Sequence, residues 1–350
     1  MNERKRVKSF DLFRGYGCLA IVMLHVVSAW KDDSLYGYTF LNTDIVRTLF
    51  NNVIVPLLVR MAVPIFFMIS GVLFLDPQNE VSTITIKRHI IKILVILGTF
   101  GYGMALVELV ATSGSFKPEF LYISFLNLIQ EQSWSHLWYL YATIGLYIIT
   151  PILRSWIQGT TKEEMRILML AGVLLLSVVP TINNLLNMTV TSFGIATPGG
   201  AVLCYITGIY LYSNKSRIAE KKKIAYVGAT IGGGMMAIVN MLCRNWSQSM
   251  LEPFYIWTYL YSATLFGIMI NSNMIEKMAD KSAIKFLSKM SLAIYVIHPF
   301  FINALYKGLH FFPDRLPDII GEITVWFIIS VLTIISSLIL KAIPGIRNYL

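Results

Sequence analysis

The chain has 350 residues, 56% hydrophobic and only 14% charged, with a mean hydropathy of +0.64, which excludes intrinsic disorder, a disulfide scaffold and a soluble enzyme. At about 20 residues per helical crossing, ten crossings take roughly 200 residues, and the remaining ~150 leave no room for an extramembrane domain of ordinary size. The formal charge of +10 is not a nucleic-acid signal, because most Lys and Arg residues fall in a few short loops.

Arg4, Lys5, Arg6 and Lys8 precede an apolar run that reaches Trp30 without a small-residue cleavage site. This reads as a retained first span rather than a signal peptide. Further apolar runs lie near Leu57 to Leu75, Ile90 to Val110, Leu137 to Leu153, Ile167 to Leu186, Gly199 to Tyr212, Ile224 to Leu242, Tyr255 to Met274, Phe286 to Tyr306 and Ile320 to Leu340. The fold class expected is all-α: a polytopic bundle of about ten transmembrane helices forming one membrane domain from Met1 to Leu350.

Counting positive charges fixes the expected orientation. The loops on the N-terminal side hold Lys87, Arg88 and Lys92, then Arg154, Lys162 and Arg166, then Lys215, Arg217, Lys221, Lys222 and Lys223, then Lys277, Lys281 and Lys285, with Lys341 and Arg347 at the tail. The opposite loops hold Lys31, Arg47, Lys117, Arg244, Lys307 and Arg315. Both termini are therefore expected in the cytoplasm, in a multi-pass protein of the cell membrane. The segments Ala111 to Ser135 and Lys31 to Pro56 are too polar or too amphipathic to span and are expected to lie across the outer mouth. Cys18, Cys204 and Cys243 sit in apolar runs; their odd number and spacing suggest small core residues, with neither a disulfide framework nor a metal site.

Ionisable groups inside spans cost about 2.5–3.5 kcal/mol on insertion scales and point to function by default. In the first span, Asp11 and Arg14 lie at the cytoplasmic end and His25 eleven residues beyond Arg14, a spacing that returns to within ~20° of the same helix face after a rise of ~16 Å. A structural reading also fits: Asp11 at the helix N-terminus, Arg14 reaching the inner headgroups and His25 bonding a neighbouring helix. Arg60 in the second span falls at a depth similar to His25, suggesting one shared cavity, although an Arg there also fits snorkelling to the outer interface. Pro64 loosens the local helix, and Ser70-Gly71 allows close approach of a helix or ligand. His136 begins the fourth span at the outer surface, amid interfacial aromatics. His298 lies near or above the midplane of the ninth. Glu108, Glu131 and Glu252 fall near the outer face, where they are candidate carboxylates or ordinary loop acids. Gly232-Gly233-Gly234 follows no strand and reads as a close-packing helix face.

The motifs resemble those of the acyltransferase-3 group of integral membrane acyltransferases, and the resemblance covers most of the chain. It rests on Phe10-Asp11-Leu12-Phe13-Arg14 with His25 ten intervening residues later, on Arg60 to Gly71, on His136-Leu137-Trp138-Tyr139-Leu140-Tyr141 with Thr150-Pro151, and on Ser291 to His298. The resemblance implies an O-acetyltransferase type with acetyl-CoA as cytoplasmic donor, no metal, and as acceptor a hydroxyl of a surface glycan or an undecaprenyl-linked glycan. The site expected has His25 and Arg60 as catalytic groups, Arg14 and Asp11 at the donor, and His136 and His298 as acceptor-binding or supporting groups, joined by Glu108 and Glu131 on the ground of their place near the outer face. In this reading His25 is general base and Arg60 stabilises the developing oxyanion, or His25 carries the acyl group covalently. Family members with an appended extracytoplasmic hydrolase-like domain differ from this chain, so no relay through such a domain is expected. The rival readings are a small-molecule transporter, such as one for amino acids, and a glycan exporter.

Overall fold

The structure, a computed structural model, describes residues 7–32, 45–187, 189, 197–242, 251–317 and 319–350. Arg4, Lys5, Arg6, Cys243 and Arg244 lie outside the described residues. The helices that matter for the site are α1 (Lys8–Asp32), α2 (Ile45–Leu75), α3 (Thr83–Ser113), α4 (Glu119–Ile129), α5 (Ser135–Gly159), α6 (Lys162–Leu185), α7 (Thr197–Ser213), α8 (Lys222–Leu242), α9 (Ile256–Met269), α10 (Ser282–Gly308) and α11 (Ile320–Ala342). No strand occurs among the described residues.

Each of the ten apolar runs is a helix. Eight are long and apolar enough to cross a membrane; α7 and α9 are shorter than the ~20 residues a lipid-facing crossing needs. Both are instead lined by protein: Cys204 and Tyr205 of α7 and Thr258 and Phe266 of α9 are fully buried. By contrast, α3, α6, α8 and α11 leave many apolar side chains on the outside of the bundle, among them Leu94, Leu170, Ile238 and Phe327, where lipid is the solvent.

Two helix pairs form the centre. Glycine sets the first: a Cβ on Gly71 of α2 would lie 1.8 Å from the Tyr205 carbonyl oxygen, and one on Gly208 of α7 would lie 2.0 Å from that of Met68. The backbones approach so closely that only hydrogen fits, which is the close approach expected at Ser70-Gly71. The second pair is α1 with α10, joined by the Ser288 hydroxyl donating to Asp11 at 2.9 Å and by the Tyr306 hydroxyl donating to the Val26 carbonyl at 2.9 Å. Gly232 of α8 likewise meets the backbone of Tyr261 on α9, whereas Gly234 faces open space.

Proline shapes α2. Pro64 lacks the N–H that the Arg60 carbonyl would accept, and the helix breaks at Arg60 and Met61 before resuming at Ala62. At the lysine-rich end, the inner one by the positive-inside rule, Arg154 of α5 donates to the carbonyls of Phe74 in the last turn of α2 and of Asp76 and Asn79 just beyond it, supplying cationic donors where helix carbonyls run out.

Three expectations change. Residues 45–56, expected to lie across the outer mouth, are helical and continuous with the second span, including a π-helical turn at Phe50–Ile54; residues 33–44 are outside the described part. Their amphipathicity has a cause. Arg47 does not act as a loop charge: it pairs with the fully buried Glu322 of α11 at 3.1 Å, and Asn51 donates to the same carboxylate at 2.9 Å. His136, expected at the surface, is only 4% exposed. The segment before it, α4, folds over this end of the bundle and is tied down by the Tyr141 hydroxyl donating to Leu128 and Ser133 donating to Gly101.

Candidate active site

Three histidines from three helices meet in the outer half of the bundle. His25 comes from α1, His136 from the turn that opens α5, and His298 from α10. Their ring centroids are 5.1 Å apart for His25 and His298, 5.5 Å for His136 and His298, and 6.2 Å for His25 and His136. His298 is fully buried, and His25 is half-buried at the wall of a cavity.

Local sequence explains each placement. Pro299 cannot donate to the Tyr295 carbonyl, so the α10 backbone has an open acceptor beside the His298 ring. The His298 Nδ1 lies 3.0 Å from the Ile294 carbonyl. A carbonyl only accepts, so the hydrogen-bond network assigns the proton to Nδ1 and leaves Nε2 with its lone pair. That Nε2 is buried and has no partner among the described residues, and the Nε2 of His136 is in the same state. His136 is set by the short turn Ser135–Leu137 and by the Tyr295 hydroxyl, which donates to its carbonyl.

Two cavities approach this cluster from opposite ends. The outer one is lined by His25, Gln132, Ser133, His136 and Asn303, with Glu108 and Lys307 further out. The inner one, of about 150 Å³, is lined by Arg14, Cys18, Ile21, Phe66, Ser70 and Tyr139, among others. Between them lies a belt of rings: Tyr139 and Tyr295 are 5.6 Å apart, and Tyr295 is 5.5 Å from His136. Tyr139, Ser70 and Arg14 line the same inner cavity. Arg14 and His25 thus share one stripe of α1, about 16 Å apart along its axis, and each faces a different cavity.

The other expected site residues are distributed as follows. Asp11 is buried against Ser288 and stands at the α1–α10 seam rather than in a cavity wall. Arg60 does not share the His25 cavity. It turns to the other side of α1, donates to the Leu251 carbonyl at 3.1 Å, and lines a small separate cavity with Leu24, Asn51 and Asn240. Glu108 lines the outer cavity and pairs with Lys307 at 3.7 Å. Glu131 is exposed at the end of α4 with a left-handed backbone, φ +57°, and lines none of the cavities described above.

Sequence reading missed Tyr295, Trp134, Asn303 and Lys307. Tyr295 was findable, since it sits one helical turn before His298 on the same face. Lys307 was read only as a loop charge. Among the described residues, no three His, Cys, Asp or Glu side chains form a group able to hold a metal ion.

The family model described as an acyltransferase domain matches residues 7–342. The chain belongs to the acyltransferase-3 family. No curated protein and no solved structure matches it. This membrane acyltransferase therefore carries its family match across nearly the whole bundle, including all three histidines and both cavities.

Proposed function

We propose that this acyltransferase moves a short acyl group, acetyl first among them, from acyl-CoA on the cytoplasmic side to a hydroxyl of a cell-surface or lipid-linked polysaccharide on the outer side of the cell membrane. The observation that supports it is the placing of Arg14 and His25 on one helix, in two opposed cavities, with only a belt of tyrosine and histidine rings between them.

The donor side fits an arm better than a nucleotide. A cavity of about 150 Å³ walled by Cys18, Ile21, Phe66 and Leu292 suits a pantetheine chain, with the phosphates of CoA left at the basic inner mouth. Arg14 presents a planar set of donors suited to phosphate or carbonyl oxygen. Tyr139, beside Ser70 and Arg14 in the wall of this cavity, is the hydroxyl that meets a thioester carbonyl as charge develops on its oxygen.

On the acceptor side, His25 takes the proton of the hydroxyl as general base. The acceptor oxygen forms a bond to the acyl carbon, the C–S bond breaks, and the sulfur leaves and is protonated to free CoA. His298 is a positioning residue: fixed at Nδ1 by Ile294, it keeps an open acceptor nitrogen beside the His25 ring. Arg60 acts from outside the cavity through its field, not as a donor to the reacting oxygen. Transfer through an acyl-His25 intermediate uses the same residues and lets the acyl group pass the belt before the acceptor binds.

The test is release of free CoA from acetyl-CoA by the protein in liposomes, for wild type, His25→Ala and Arg14→Ala, with and without a crude surface-glycan fraction. Turnover that needs His25 and rises with glycan supports the reading. A well-folded sample that neither binds nor turns over any acyl-CoA overturns it in favour of transport.

A further inference from the structure

A groove of about 390 Å³ lies at the lysine-rich, inner end of the bundle, between the start of α3 and the last turn of the chain, Ile346–Asn348. It shares no lining residue with the Arg14 cavity. Lys87, Arg88 and Lys92 come from α3, and Asn348 and Tyr349 face them from the tail. Both walls are held in place. The His89 ring stands edge-on to Phe74 at 5.1 Å and lies 5.8 Å from Tyr147, which fixes α3 on α2 and α5. On the other side Gly345 takes a left-handed backbone, φ +92°, as the chain leaves α11, and Leu350 is buried in the main core.

The cations of this groove are not neutralised from within. Among the described residues, none of Lys87, Arg88 and Lys92 pairs with a carboxylate, and the first turn of α3 carries no acidic residue. At 100° per residue Ile84, Lys87, Arg88 and Ile91 share one face of α3, with Lys92 beside them and half-buried. The face turns apolar as it enters the membrane: Ile91 is 43% and Leu94 52% exposed on the outside of the bundle, on a helix that spans it. A basic loop that only sets topology needs neither an opposing wall nor such a track. Unpaired cations that open onto a bare apolar helix face complement an anionic headgroup with its acyl chains below it. We infer that the groove binds an anionic glycerophospholipid of the inner leaflet. The phosphate sits among Lys87, Arg88 and Lys92, Asn348 and Tyr349 donate to the headgroup, and the acyl chains lie along Ile91 and Leu94. The site does not depend on the acyltransferase reading.

The experiment places the full-length protein in phosphatidylcholine vesicles with a trace of phosphatidylglycerol or phosphatidylcholine carrying the same photoreactive acyl chain. Labelling at Ile91 and Leu94 is expected to be about fivefold stronger or more for phosphatidylglycerol, the scale of a small basic cluster at a membrane surface. The double variant Lys87→Gln, Arg88→Gln removes that preference and Lys87→Arg keeps it. Lys222→Gln with Lys223→Gln, which takes two exposed cations from another inner loop, leaves it unchanged. Equal labelling by the two lipids or crosslinks elsewhere overturns the inference, and so does an equal loss in the second double variant, which reports surface potential alone. Displacement of the label by free CoA also overturns it, because the groove then holds the phosphates of the donor. The labelling needs no acyl donor, so its outcome is separate from that of acyl transfer.

Discussion

The rings of His25 and His298 lie 5.1 Å apart, although one belongs to the first span and the other to the ninth. The His298 ring is oriented by a carbonyl of its own helix, 3.0 Å away, and so presents one defined nitrogen to the cluster. His25 alone of the pair opens to a cavity. In the proposed reaction His25 takes the proton and His298 positions it.

His25→Ala is therefore expected to leave the protein folded and inserted while transfer falls by about 10²–10⁴-fold, the usual contribution of a positioned acid-base group. His298→Ala is expected to lower kcat with KM for the donor nearly unchanged, and His298→Gln to recover part of it because an acceptor atom is restored. Steady-state kinetics on both variants checks this. A rise in donor KM alone contradicts the positioning role.

Arg14 faces the inner cavity. Arg14→Ala is expected to raise the Kd for acyl-CoA about tenfold or more, the scale of one charge-assisted pair, and Arg14→Lys to recover less than half of that free energy because a point charge lacks the planar fork. Binding measured by calorimetry in detergent checks it.

Gly71→Ala places a methyl group where the Tyr205 carbonyl already stands. The α2–α7 seam must open, at a cost of about 1–3 kcal/mol or more. Thermal unfolding in detergent is expected to show a lowered midpoint, while Gly234→Ala, in open space inside α8, leaves it the same or slightly raised.

Glu322 is fully buried and receives both Arg47 and Asn51. Glu322→Ala strands a cation that is only 11% exposed, with an expected loss of about 3–5 kcal/mol. The double variant Arg47→Met, Glu322→Leu is expected to recover most of it, as read by the same unfolding measurement.

Asp280, at the inner end outside the spans, accepts from Lys8 at 2.6 Å and pairs with Lys285 at 3.1 Å. These bonds, Lys8 first, hold its carboxyl below the usual carboxylate range. A group whose folded pKa is depressed stabilises the fold above its unfolded value, ~3.9, and stops doing so as pH falls through the folded value. The difference in melting temperature between wild type and Asp280→Asn is thus expected at pH 7 and expected to vanish on acidification below about pH 4.

The fold was legible because bilayer crossing leaves a strong trace in sequence: each apolar run became a helix, and the eleven-residue spacing carried Arg14 and His25 onto one stripe. Long-range choices left no such trace. That Arg60 turns to Leu251 rather than to His25, and that His136 is buried against Tyr295 and His298, depends on side-chain direction and on packing between segments distant in sequence. Arg47 looked like a loop cation because its partner, Glu322, lies near the far end of the chain. The short α7 and α9 read as spans because hydropathy reports burial without saying whether lipid or protein does the burying.

The sidedness of transfer tests the central claim most directly. Liposomes with uniformly oriented protein are given labelled acetyl-CoA on the inner face only and a glycan acceptor on the outer face only. Label is expected on the outer glycan, abolished by His25→Ala with donor binding intact. Label that reaches glycan only when donor and acceptor share one face would contradict it.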